Sequence, residues 1–148
     1  MRELLLPKQN FTLLDVCVLG AFFVASLTLK IIYWSLYGIN VGSTLRNSSD
    51  AMFAIVTAPL LETILFNVLL TALFLKLKIK PMYVVFLVSF LFSVAHIFND
   101  LLYPIFIFIP CFFMSWCYVH YLSKHGFLIA FVLTLVLHSI YNLTASIY

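Results

Sequence analysis

The sequence predicts an all-α protein, a polytopic transmembrane helical bundle of about five spans. Three observations carry that expectation. Apolar residues make up 65% of the 148 and charged residues only 9%. Mean hydropathy is +1.16. The apolar residues also gather in runs long enough to cross a bilayer. A soluble domain carries about 25% charged residues, so this chain lacks the polar surface to face water, and lipid must cover much of it. One domain over residues 1–148 is expected. The formal charge of +3 is small and scattered, which speaks against a nucleic-acid partner.

A membrane helix needs about 20 mainly apolar residues for roughly 30 Å of hydrocarbon. Five stretches qualify: Leu13–Trp34, Ala51–Leu75, Met82–Phe98, Leu101–Leu122 and Phe127–Ile147. The first is too long for the apolar region of a signal peptide and no small-residue cleavage site follows, so an uncleaved helix is expected. The second holds Pro59 just before Glu62; the missing N–H predicts a kink there. The third and fourth are separated only by Asn99–Asp100 and should form an antiparallel hairpin. Cys17, Cys111 and Cys117 fall in apolar runs, odd in number and without a C-x-x-C spacing, so they read as buried packing residues.

Orientation follows from the basic residues, which are retained on the cytoplasmic side. Five spans place Arg2, Lys8, Lys76, Lys78, Lys80 and Lys124 on one face, against Arg46 and Lys30 on the other. The expectation is a plasma-membrane protein with its N-terminus in the cytoplasm and its C-terminus outside.

Ionisable groups at bilayer depth are expensive and mark function. Glu62, His96 and His138 each fall well inside a span. At 1.5 Å of rise per residue they lie about 20, 21 and 17 Å from the cytoplasmic ends of their helices. Three helices therefore bring polar groups to one layer, which predicts a shared cavity. Residues at i, i+3 and i+4 share a helix face. Ala54, Ala58 and Glu62 align, as do Ser89, Ser93 and His96, and Thr134, His138 and Asn142; each stripe should face inward. Asp15 and Lys30 sit towards the ends of their span and are expected to snorkel. His120 and His125 are expected at the interface, and the sixteen Phe as lipid-facing and core bulk.

A carboxylate and imidazoles in a partly dry cavity suit the activation of water, and an Asn amide is a natural oxyanion donor. The same groups also match a catalytic zinc set, with Glu62, His96 and His138 as ligands. Proton or ion conduction stays open as a third chemistry.

The segment Ala58-Pro59-Leu60-Leu61-Glu62-Thr63-Ile64-Leu65-Phe66-Asn67 resembles the first motif, E-E-x-x-x-R, of the CAAX protease and bacteriocin-processing family of intramembrane proteases. Phe92-Ser93-Val94-Ala95-His96 resembles the family's F-x-x-x-H, and His138-Ser139-Ile140-Tyr141-Asn142 its H-x-x-x-N. The three occur in the family's order, each on its own predicted helix. The resemblance implies an intramembrane endopeptidase acting on a membrane-associated or lipidated peptide. By it, Glu62 and His96 activate the water, and His138 and Asn142 stabilise the oxyanion. It implies no cofactor, with zinc on Glu62, His96 and His138 as the alternative. Membrane lipids and the peptide substrate are the expected partners. The departures are Thr63, where the second Glu is usual, and Asn67, where Arg is usual. Together they are expected to replace an ion pair by neutral hydrogen bonds. The competing reading is a non-catalytic or bacteriocin self-immunity protein that uses the same cavity to bind a peptide. An ion conductor accounts for a buried Glu62 but not for the His138–Asn142 pair.

Overall fold

The computed structural model describes residues 12–37, 48–98 and 101–146, and every regular element among them is helical. Helix α1 is Leu13–Tyr37, α2 runs over residues 48–76, α3 is Pro81–Val94, α4 is Tyr103–His125 and α5 is Phe127–Ser146. Each of the five stretches expected from the sequence holds one of these helices. The turn residues Asn99 and Asp100 and the basic residues Arg2, Lys8 and Arg46 lie outside the described residues.

The ends of these helices follow from their residues. Thr12 and Asp15 cap α1 reciprocally: the Thr12 N–H donates to Asp15 Oδ2 at 2.8 Å, and the Asp15 N–H to Thr12 Oγ1 at 3.3 Å. Pro81 and Pro104 sit in the first turns of α3 and α4, where the missing N–H loses nothing. Gly126, with φ of 89°, closes α4 by donating to the Tyr121 and Leu122 carbonyls. The chain then turns directly into α5.

Helix α2 is continuous but not uniform. Ser48–Met52, Ala58–Glu62 and Thr71–Lys76 are α-helical, while Phe53–Thr57 and Thr63–Leu70 are π-helical. In the first π segment the Ala58 N–H donates to the Phe53 carbonyl, five residues back. The next bond in that series would run from residue 59 to Ala54. Pro59 has no N–H to give. The expected disturbance at Pro59 is therefore a wide π turn on either side of a short α segment, and Glu62 is the last residue of that segment. Such π turns often occur at functional sites.

One expected span is shorter than the sequence implied. The stretch Met82–Phe98 holds a helix only to Val94, 14 residues, or about 21 Å of rise. The other four helices are long and apolar enough to cross a membrane. The cause of the early end is His96. Its Nδ1 lies 2.9 Å from the Phe92 carbonyl, the acceptor that its own backbone N–H would serve in a continuing helix. That N–H goes to the Ser93 carbonyl instead, and the Ile97 N–H to Val94. His96 is thus on a tight turn rather than on a helix.

Helix α4 is central. Its membrane window is 50% buried, against 17–22% for α1, α2 and α5. It packs against α1, α3 and α5, and α2 packs on α5 and α3. One core cluster joins Phe92, Ile107, Cys111, Met114 and Tyr141. A second, towards the basic end, joins Phe113, Cys117, Tyr118, Tyr121 and Ala130. Outward faces are apolar as well: Val24, Leu65, Phe86, Ile105 and Val136 are all exposed. A surface of that kind is stable against lipid rather than water.

Several charged residues are placed otherwise than the sequence suggested. Asp15 and Lys30 do not snorkel; both are buried. Lys124 Nζ donates to both Asp15 carboxylate oxygens at 2.8 and 2.9 Å, and His120 Nε2 lies 3.4 Å away, tying α1 to the end of α4. Lys30 Nζ donates to the Tyr141 carbonyl at 2.7 Å and sits 4.0 Å from the centre of the Tyr141 ring, tying α1 to α5. His125, at the end of α4, is buried against Tyr121. Of the cysteines, Cys111 and Cys117 are buried as expected, but Cys17 is exposed.

Candidate active site

Glu62 from α2, His96 from the turn after α3 and His138 from α5 converge. His138 Nε2 lies 3.2 Å from Glu62 Oε2, and His96 Nε2 lies 4.0 Å from Glu62 Oε1. Their side chains are 29% (Glu62), 18% (His96) and 5% (His138) exposed, so the carboxylate keeps access while His138 is enclosed. The 3.2 Å approach is a close contact without hydrogen-bond alignment: Oε2 is buried and receives no hydrogen bond. Shared depth, read from three separate spans, thus corresponds to contact.

Phe92 wedges the two imidazoles apart. Its ring centre is 5.5 Å from that of His96 and 5.6 Å from that of His138, and its other face stacks on Phe66 at 4.5 Å. Phe66 lies one turn beyond Glu62 on α2, so the stack also locks the carboxylate's helix to α3. Tyr103, at the start of α4, packs its ring 6.1 Å from His96 and 5.2 Å from Tyr33 of α1. All five helices therefore contribute to the walls.

The chemistry fixes the protonation of one histidine. A carbonyl only accepts, so His96 Nδ1 carries the hydrogen and donates to Phe92. In its neutral form the ring then turns a bare Nε2 towards Glu62. His138 Nδ1 lies 3.3 Å from the hydroxyl of Thr63, in a buried contact; a hydroxyl can give or receive.

Asn142 stands one turn beyond His138 but faces a different atom. Its amide Nδ2 donates to the Ala54 carbonyl at 3.0 Å, the one that Pro59 cannot serve. Thr63 and Asn67, expected to bond one another, do not. Thr63 turns to His138, while both amide atoms of the fully buried Asn67 have no hydrogen-bond partner among the described residues. Thr63 and Tyr103 are site neighbours that the sequence reading did not select. For Thr63 a signal existed in its place beside Glu62; its partner lies 75 residues away, which spacing does not reveal. Nothing in the sequence near Tyr103 singles it out.

Among the described residues no group of three His, Cys, Asp or Glu has an arrangement that could hold a metal ion. Ligands sharing a tetrahedral zinc at about 2.0–2.1 Å stand roughly 3.4 Å apart, and the 4.0 Å between His96 and Glu62 exceeds that.

Among the described residues, two grooves flank the bundle. One of about 280 Å³, lined by Phe90, Ser93, Val94, Pro104, Ile105 and Phe108, lies beside the His96 turn. The other, about 330 Å³, lies at the basic end between the start of α3 and the end of α4, away from Glu62.

A carboxylate between two histidines on three segments of a helical membrane bundle is an arrangement that can activate water. The sequence model of the family described as type II CAAX prenyl endopeptidase Rce1-like matches residues 44–144, a range that holds Glu62, His96, His138 and Asn142. The chain belongs to that family of CAAX-type intramembrane proteases and is an integral membrane protein. No curated protein and no solved structure matches it.

Proposed function

We propose that the chain is an endopeptidase that cleaves a membrane-associated, lipidated peptide with water activated at Glu62. The observation that carries this reading is the 4.0 Å between His96 Nε2 and Glu62 Oε1. It is too long for a hydrogen bond, yet one water can bond both atoms at about 2.8 Å each. Both atoms are acceptors, so a water between them directs both hydrogens at bases and its lone pairs outwards. That is the geometry of a general-base site.

In this reading the water oxygen attacks the scissile carbonyl carbon as its proton passes to Glu62. The oxygen that gains charge is stabilised by His138 and, as the family resemblance implies, by Asn142. The proton on Glu62 then passes to the amide nitrogen as the C–N bond breaks. The substrate class is supported by the apolar groove lined by Ser93 and Val94 just before the His96 turn, whose Phe90 and Ile105 are exposed on the outer face of the bundle. An apolar chain on the peptide can enter sideways there. The 29% exposure of Glu62 supports access for the peptide itself. The test is cleavage of a farnesylated peptide by protein reconstituted in nanodiscs. Release of the C-terminal tripeptide supports the reading, and an intact peptide at high enzyme concentration speaks against it.

A further inference from the structure

We infer that Thr63 is a positioning residue that holds the hydrogen of His138 on Nε2. The inference rests on the hydrolase reading only for its consequence for cleavage; the protonation itself stands apart.

Thr63 is fully buried. Its backbone N–H is shared between the Leu60 and Pro59 carbonyls, and its hydroxyl meets His138 Nδ1 at 3.3 Å. On the ring's far side Nε2 lies 3.2 Å from Glu62 Oε2, close but off hydrogen-bond alignment. An ionised carboxylate only accepts. If the ring hydrogen were on Nδ1, the Nε2 lone pair would confront carboxylate lone pairs in a buried place, and the Thr63 hydroxyl hydrogen would lack this acceptor. With the hydrogen on Nε2, the hydroxyl donates to Nδ1 and both conflicts vanish.

His96 is arranged the other way round, since its Nδ1–H is spent on the Phe92 carbonyl. One carboxylate is therefore flanked by an acceptor imidazole and a donor imidazole. Glu62 alone cannot keep that division through a reaction. Once it has taken a proton it no longer demands a hydrogen on His138 Nε2. Thr63 does not change state, so it keeps the donor in place at the stage when an oxyanion needs it. The same logic gives Thr63 a use that the acidic residue usual at this motif position would not fill, because a carboxylate accepts and would draw the hydrogen to Nδ1.

The experiment reads imidazole ¹⁵N shifts, which separate protonated from bare ring nitrogens, in protein held in nanodiscs. Glu62→Gln stands in for protonated Glu62 and removes its vote. In both the wild type and Glu62→Gln, His138 is expected with Nε2 protonated and Nδ1 bare. Adding Thr63→Val, which keeps the shape, should release a mixture of the two forms; Thr63→Ser should not. In the Glu62 background, Thr63→Val should lower cleavage by about 10–100-fold, the range for partners that orient functional histidines, and Thr63→Ser should restore it. Nδ1 protonated in the wild type or in Glu62→Gln, or spectra unmoved by Thr63→Val, would overturn the inference. Absence of cleavage by the wild type itself would instead sink the hydrolase reading and leave the spectra to decide this one.

Discussion

Asn142 donates its amide N–H to the Ala54 carbonyl at 3.0 Å, supplying from α5 the hydrogen bond that Pro59 withholds within α2. The proline opens the helix next to Glu62, and a side chain three helices later in the chain repairs it. Position and repair lie one turn on either side of the site, so the kink is held rather than loose.

That relationship predicts a coupling. Asn142→Leu leaves the Ala54 carbonyl without its donor, which costs about 1–3 kcal/mol. In a Pro59→Ala background the restored N–H can take the role, and the same substitution should cost about 1 kcal/mol less. A double-mutant cycle on unfolding in mild detergent measures this. Additive losses would mean that Pro59 and Asn142 are unrelated.

Asn67 predicts the opposite sign. Its amide is fully buried without a hydrogen-bond partner among the described residues, and its apolar isostere has no such need. Asn67→Leu should raise the melting temperature, with a gain of about 1–3 kcal/mol. A loss in the same assay would show that the amide has a role in the folded bundle.

The helices were legible because hydropathy reports them directly, and the meeting of Glu62, His96 and His138 was legible because each stands a similar number of residues from the end of its span. Three features were not. Hydropathy showed Lys30 near a span end but not that the Tyr141 carbonyl waits beside it, since burial depends on the neighbouring helix. The early end of α3 comes from a side chain competing with its own backbone at Phe92, which composition does not encode. The departures Thr63 and Asn67 looked like a matched pair at i and i+4. In the π-helical stretch Thr63–Leu70 each turn takes more residues, and the two part.

Orientation is open to a direct measurement. If Lys76, Lys78 and Lys80 face the cytoplasm, as the distribution of basic residues predicts, single cysteines at the exposed positions Lys76 and Lys80, in a cysteine-free background, react only with membrane-permeant reagents in intact cells. A cysteine at Phe98, which is 95% exposed, should react with impermeant reagent from outside. The reverse pattern would invert the topology and leave the site unchanged.

Metal dependence is predicted to be absent. The water site assigned to Glu62 and His96 uses both as acceptors, so the purified protein should contain well below one zinc per chain and keep its cleavage rate after chelation. Stoichiometric zinc, lost in both His96→Ala and His138→Ala, would make the three residues ligands instead.

The central claim is that Glu62 takes a proton from water, and Glu62→Gln tests it most directly. The amide keeps size and polarity and is cheaper to bury than a carboxylate, so the bundle should fold. Cleavage of a farnesylated peptide should fall by about 10²–10⁴-fold or more, while binding of the same peptide in the same nanodiscs stays within a few-fold of wild type. A Glu62→Gln protein that cleaves at the wild-type rate would contradict the account.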